Sequence, residues 1–580
     1  MPDPSPLTPE EIQRLFADAA PDIKNTFQFA LVLGGTVSAG SYTAGVLDFL
    51  IEALDCWTDT REREKGAANP TAPRHNTLLK LIAGTSGGGV NAAIAARALA
   101  YDFPSISRGT PNTGLGVPNP FYDVWVNRLT LTGMLDTGDI DSGNFVSLLN
   151  GKPIDDAAEV VAGFTRPAMK KRSWVSGPLR VILTLSNLRG VPYRTDMGNG
   201  SETFVDHADY ARFAFVYPGG TIADPRPDEF VLGFDSQRLP QPLQWADFSA
   251  FARATGAFPV GFPPRELTRP MAHYRYRATV VPSDQTGASA KIVGLSPDWE
   301  MLKTNGSLPN DYHFLSVDGG ATDNQPIGLA RTALSGLLGR NPRDPAEADR
   351  AVVLVDPFAG QTGLGPEKMD GFPSLFGALG SMFTQQTRYN SQDMALAADK
   401  SIFSRFMIVP RRDGRTGGAA IASDGMGAFI GFASQDFMRH DYLLGRRNCQ
   451  RFLQAEFVLT EDNPVFAGVW TDPQKAKFCV KDAKGAPVKD AKGRLFLPLV
   501  PLMGDAAIEE TTDPWPRNKL DPDDYREAIE ARFKAVVEFE GKGSIKAQVI
   551  SWLVAQRGDD KVADFAIKQM EEALTKAELA

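Results

Sequence analysis

Two stretches of this chain share one construction, and it restricts the fold more than any other feature. "FQFALVLGGTVSAGSYTAGVLDFLIEAL", Phe27 to Leu54, is an apolar run that ends in a glycine-rich turn and continues with Tyr42, Val46, Leu47, Phe49, Leu50 and Leu54 at helical spacing. "LLKLIAGTSGGGVNAAIAARALA", Leu78 to Ala100, repeats the order of strand, sharp turn and helix. Strands that stay apolar rather than alternate are covered on both faces, the condition of a parallel sheet held between helices. "PLRVILTLSNL" (Pro178 to Leu188) and "RAVVLVDPF" (Arg350 to Phe358) read as further buried strands. The expected class is α/β with a mainly parallel central sheet.

The surrounding segments suggest an organisation. Thr8, Pro9 and Glu11 look like an N-cap, a first-turn proline and a capping-box partner, which predicts a helical arm over residues 1–24. A core domain over 25–415 follows. It carries long Gly, Pro and Asn loops, such as Tyr101 to Asp123, and an insertion around 190–310 made β-rich by "HYRYRATVVPS" and "AKIVGL". Residues 416–580 are mixed and then helical. They open with a helix in Ser434 to Phe457 and close with "YREAIEARFKAVVEFE", "IKAQVISWLVAQR" and "VADFAIKQMEEALTKAEL".

Composition removes several classes. The formal charge of −9 provides no net attraction for nucleic acid. The three cysteines, Cys56, Cys449 and Cys479, have neither metal-ligand nor C-x-x-C spacing, and are expected as reduced thiols in a cytoplasmic protein. The first twenty residues place acids and prolines where a secretory leader has a basic and then an apolar segment. No run of about 18 to 20 residues is apolar enough to span a bilayer, so any membrane association is expected to be peripheral.

Gly84, Ser86 and Gly88 form G-x-S-x-G with a strand before and a helix after, the setting of a nucleophile elbow. The alternative is a glycine-rich helix entry that binds an anion, with Ser86 as a simple cap. None of the five histidines, His75, His207, His273, His313 and His440, lies in a recognisable triad motif. In "YHFLSVDGGATDNQPIGLA", Tyr312 to Ala330, a strand ends at Asp318. An aspartate at the carboxyl end of a parallel strand lies on the edge where such sheets hold ligands, and it is a candidate base. An Asx turn or helix cap is its bland alternative. The amides of "GGTVSAG", Gly34 to Gly40, suit an oxyanion or a phosphate. Nucleotide binding is weakened by the absence of a full G-x-G-x-x-G or a G-x-x-x-x-G-K-[ST] loop.

Taken together, the loop, the "GTSGG" elbow and the "DGG" segment resemble the patatin-like phospholipases, lipid acyl hydrolases that use a serine–aspartate dyad without histidine. The resemblance covers residues 25–360 in outline and implies a three-layer sandwich. It implies Ser86 as nucleophile, Asp318 as general base, Gly35, Thr36 and Val37 as the oxyanion hole, and Gly40, Gly84, Gly88, Gly319 and Gly320 as supporting positions. Neither metal nor organic cofactor is implied. The substrate would be a phospholipid or another lipid ester met transiently at a membrane surface. Where the family's loop reads G-G-G-x-R-G, this chain has Thr36, Val37 and Ala39, so two glycines and the arginine are lost; β-branched residues also resist positive φ. The insertion between Ser86 and Asp318 includes "ARATGAFPVGFPPREL", Ala252 to Leu267, in which Phe258 and Phe262 are candidate pocket walls or plain core. "MKKRSW", Met169 to Trp174, is either a head-group contact or a solvated turn. A scaffold that has lost catalysis and binds a protein or lipid is the competing function.

Overall fold

The computed structural model describes residues 7–17, 22–106, 114–140, 147–196, 200–222, 225–234, 242–259, 261–283, 290–339, 341–359, 401–540 and 562–580. The two repeated units form as their patterns predict. Strand β1 (Thr26–Leu33), buried along its whole length, leads into helix α1 (Gly40–Arg63), and β2 (Asn76–Gly84) leads into α2 (Gly87–Ala98). Then follow β3 (Val175–Asp196), β4 (Ser201–Val216), β5 (Glu229–Gly233), β6 (Arg265–Pro270), β7 (Arg277–Pro282), β8 (Ala290–Leu295), β9 (Asp311–Asp318), β10 (Arg350–Val355) and β11 (Arg405–Ile408). The main sheet runs β11-β10-β1-β2-β3-β4-β5. From β11 to β3 every pairing is parallel. Strand β4 returns antiparallel on β3 because only a short connection joins them, and β5 lies parallel on β4.

Alternation along β1 separates two layers of packing. Phe27, Phe29, Leu31 and Leu33 face the larger core with α1, α2, α3 (Lys152–Gly163), α4 (Trp245–Thr255) and residues further along the chain. Ala30 and Val32 face the other side, where Ile327, Ala330 and Leu334 of α5 (Ile327–Ser335) cover them. The sheet is therefore sandwiched between helices, as its continuously apolar strands require.

The chain beyond the sheet adds to the first core. Helix α6 (Gln435–Ala455) lies along α1 at backbone contact. A Cβ on Gly45 would fall 1.9 Å from the Tyr442 carbonyl oxygen, and one on Gly445 would fall 2.1 Å from that of Tyr42. Fully buried Arg446 crosses the same contact to reach Asp48 and Glu52 at 2.6 Å and Glu510 at 2.7 Å. Helix α7 (Arg526–Glu540) and the final helix α8, residues 562–576, match two of the three C-terminal helical readings. The third, Ile545 to Arg557, lies outside the described residues. At the other terminus, Thr8 and Glu11 form the expected reciprocal cap, although the α-helical turn is only Pro9–Ile12, and Glu11 pairs with Arg275 of the insertion at 3.0 Å.

Candidate active site

Strand β3 sets the positions of both chemical groups. Its first half pairs with β2, with Gly84 opposite Leu183, and its second half pairs with β9, with Asp318 opposite Leu185. The carboxyl ends of β2 and β9 therefore point at each other along one edge of the same strand, about 7 Å apart at two residues of separation. This corrects the expectation of a parallel strand before Asp318. β9 is antiparallel to both β3 and β6, because it arrives from the insertion and meets β2 head-on.

At the end of β2 the chain turns sharply into α2. Ser86 has φ 53° and ψ −130°, a conformation outside the regions open to ordinary L-residues, of the kind that stores backbone strain at functional sites. The turn closes only because its neighbours lack side chains. A Cβ on Gly84 would lie 2.7 Å from the Gly88 carbonyl oxygen, and one on Gly88 would lie 2.2 Å from that of Leu33.

The Ser86 hydroxyl donates to Oδ2 of Asp318 at 2.6 Å. It makes no helix-capping bond, so the simple-cap alternative fails for this residue. For Asp318 the Asx-turn alternative holds: Oδ1 accepts the Gly320 amide at 2.7 Å and closes the turn, which leaves Oδ2 for the serine. The backbones are tied down as well. The Ser86 amide donates to the Thr255 hydroxyl at 3.0 Å, the Asp318 amide to the Ala257 carbonyl at 2.9 Å, and the Ser186 hydroxyl to the Asp318 carbonyl at 2.8 Å. Asp318 is 4% exposed, and burial pushes its carboxyl up to about 6 while the bonds from Ser86 and Gly320 pull the other way. Four of the histidines hold hydrogen-bond partners elsewhere, for example His75 with Trp470 and His440 with Asp441, and the fifth, His273, packs on Phe230.

The glycine-rich loop lies against the serine. A Cβ on Gly35 would be 3.4 Å from that of Ser86 and 2.0 Å from Oδ1 of Asn324. Gly35 departs from its expected role as an oxyanion donor, because its amide is already committed to the Asn324 carbonyl at 3.2 Å. Thr36 and Val37 follow, and among the described residues no acceptor meets their amides or that of Gly87. Val37 takes φ 46° despite its β-branch, the conformation such a residue was expected to resist. It is held by what comes next: the Ser38 hydroxyl bonds to the Ala428 carbonyl. Gly40 admits the indole of Trp125, whose Cη2 would lie 2.0 Å from a Cβ there. That indole donates to Asn91, which in turn donates to the carbonyls of Gly40 and Gly87. Gly319 lets its turn press on Thr184, where a Cβ would come within 2.2 Å of the hydroxyl.

From Ser86, Gly87 and Val37 an apolar cavity extends past Phe258 and Phe262 to Trp245 and Phe248. Both candidate wall phenylalanines do line it. "MKKRSW" is partly tied down, with Met169, Lys171 and Ser173 left exposed. Lys170 and Arg172 are anchored on Asp55, Trp174 donates to the same carboxylate, and Lys171 alone among the three basic residues is exposed. Among the described residues no helix is long and apolar enough to cross a membrane.

Three contributors escaped the sequence argument. Thr255 and Asn324 stood inside quoted segments, "ARATGAF" and "DGGATDNQP", where a hydroxyl and an amide among small residues were the available signals. Trp125 had none, lying in a segment between loops. The comparisons agree with the geometry. A sequence model of patatin-like phospholipases matches residues 31–331, a span that contains the loop, the elbow and Asp318. The chain is also 31% identical to the uncharacterized protein y4iI of Sinorhizobium fredii (strain NBRC 101917 / NGR234), over 88% of this chain and 76% of that one. With its sandwiched sheet and this match, the chain belongs to the patatin-like phospholipase family, a family of lipid hydrolases.

Proposed function

We propose that the chain hydrolyses the acyl esters of lipids through an acyl-enzyme on Ser86. One observation carries this reading: a strained serine, 2.6 Å from a buried carboxylate, opens directly onto an apolar cavity. Ser86 Oγ attacks the ester carbonyl as its proton passes to Oδ2 of Asp318. The amides of Thr36 and Val37, joined by that of Gly87, receive the developing oxyanion. Collapse breaks the ester C–O bond, and the departing alcohol takes the proton back from Asp318. Water then attacks the acyl-enzyme as the same carboxylate takes its proton, the bond from Ser86 Oγ to the acyl carbon breaks, and Oγ recovers the proton from Asp318 as the fatty acid leaves. A carboxyl near 6 serves both directions, being ionised at neutral pH while remaining a far better base than an exposed aspartate. The cavity takes the acyl chain, and its mostly apolar lining, with Ser249 and Arg253 among the few polar residues, suits a hydrocarbon rather than a sugar or a nucleotide.

The test is hydrolysis of nitrophenyl butyrate and of phosphatidylcholine vesicles by the full chain, beside Ser86→Ala and Asp318→Asn variants shown to be folded by circular dichroism. Both variants should lose activity by on the order of 10³-fold or more. Retained activity in Ser86→Ala removes the dyad mechanism. A parent that hydrolyses neither substrate, and whose Ser86 is not labelled by a fluorophosphonate, favours a non-catalytic binding scaffold.

A further inference from the structure

We propose that the C-terminal part of the chain builds one wall of the acyl site: Phe429 and Phe432, about a hundred residues beyond the family match, contact the acyl chain close to Ser86. This rests on the hydrolase reading above. Both rings line the cavity that begins at Ser86. Phe432 is buried and Phe429 half-buried. Phe429 meets Phe258 with ring centroids 5.7 Å apart at 71°, Phe262 at 6.4 Å and Phe432 at 6.1 Å, so rings from two distant parts of the sequence close one wall together.

Backbone bonds place this wall at the catalytic end of the cavity. Phe258 follows Ala257, whose carbonyl holds the Asp318 amide, and Phe429 follows Ala428, whose carbonyl holds the Ser38 hydroxyl. Gly431 presses on the same serine: a Cβ there would lie 2.3 Å from the Ser38 hydroxyl. The segment is also rigidly aimed. Met426, Gly427 and Ala428 take left-handed φ values of 54°, 64° and 70° in succession, turning the chain tightly just before Phe429. Behind the turn, a Cβ on Gly425 would come within 2.8 Å of Ala573 in α8, and Ile430 packs with Leu574 and Leu579. The last helix therefore supports the aromatic wall from outside. An acyl chain of several carbons passes the rings, whereas an acetyl group ends beside Ser86, Gly87 and Val37.

Kinetics with nitrophenyl acetate and nitrophenyl decanoate, on the full chain and on Phe429→Ala, Phe432→Ala and Phe429→Leu, test the proposal. In the alanine variants kcat/KM for the decanoate should fall about tenfold relative to that for the acetate, the loss expected from removing a phenyl's share of apolar contact. Phe429→Leu should recover most of the ratio. Active variants with the parental ratio overturn the wall. Where an alanine variant fails to fold and loses acetate hydrolysis too, Phe429→Gln, of similar length but polar at this half-buried position, decides: a lowered decanoate-to-acetate ratio supports the wall and an unchanged one overturns it. A parent that hydrolyses neither ester and resists a fluorophosphonate overturns the hydrolase reading, and this inference with it.

Discussion

Asp318 is a buried carboxylate whose named partners are a hydroxyl and a backbone amide, with no cation among them. That arrangement makes its charge costly and useful together. If ionised Asp318 is the base, kcat/KM on a neutral ester should rise with pH through about 6 and level off above it. A profile flat from pH 5 to 8 would exclude that role. The same carboxyl marks stability with the opposite slope. Its folded pKa stands above the unfolded value near 3.8, so its favourable contribution is complete below that value and is lost as pH rises through about 6. Asp318→Asn escapes the loss. Its stability relative to the parent should therefore grow from about pH 4 to about pH 7, by about 3 kcal/mol in all for a shift of two units, as read from urea unfolding at each pH. A constant difference would show that the charge is not strained by the fold.

The elements around this residue hold one another by close approach, and Gly88 is the sharpest instance. Gly88→Ala would drive a methyl group to 2.2 Å from the carbonyl oxygen of Leu33, a backbone atom at the end of a central strand. The expected cost is about 1–3 kcal/mol in urea denaturation, whereas Gly328→Ala in α5, where nothing stands within 4 Å, should stabilise by about 0.5–1 kcal/mol. Equal effects would mean that the elbow relaxes freely. The strands and helices that meet here were legible in the sequence because each announces itself locally, as β1 and β2 do by apolar runs ending in glycine. The direction of β9 was not, since pairing with β3 joins residues far apart in the chain and leaves no local mark. β3 extends well past the apolar run at Pro178 to Leu188, because beyond a bulge at residues 187–190 it goes on pairing edge to edge with β4 while exposed residues such as Arg194 face solvent. The loop was readable as a set of donors, yet the loss of Gly35 from that set depends on Asn324, a remote carbonyl. Phe429 and Phe432 carried no signal, for an aromatic near glycines reads like any piece of core.

At the scale of the molecule, α6 joins the C-terminal chain to the first helix through Arg446. The guanidinium is fully buried and meets three carboxylates, those of Asp48, Glu52 and Glu510. Arg446→Met would leave acids without their cation, and unfolding in urea should show a loss of about 3–5 kcal/mol at neutral pH. A neutral outcome would mean that the C-terminal chain adheres to α1 by apolar contact alone. The aromatic wall at Phe429 and Phe432 also has a consequence in time. On the ribosome, Ser86 and Asp318 have both been synthesised by residue 331, but strand β10 at the centre of the sheet comes after them and the rings that close the cavity follow about a hundred residues later, roughly 5–20 s at ordinary rates of translation. For that interval the apolar surface those rings will cover is an unroofed greasy trough. The trough is a target for chaperones and a liability for aggregation, and it disappears only as the last part of the chain arrives.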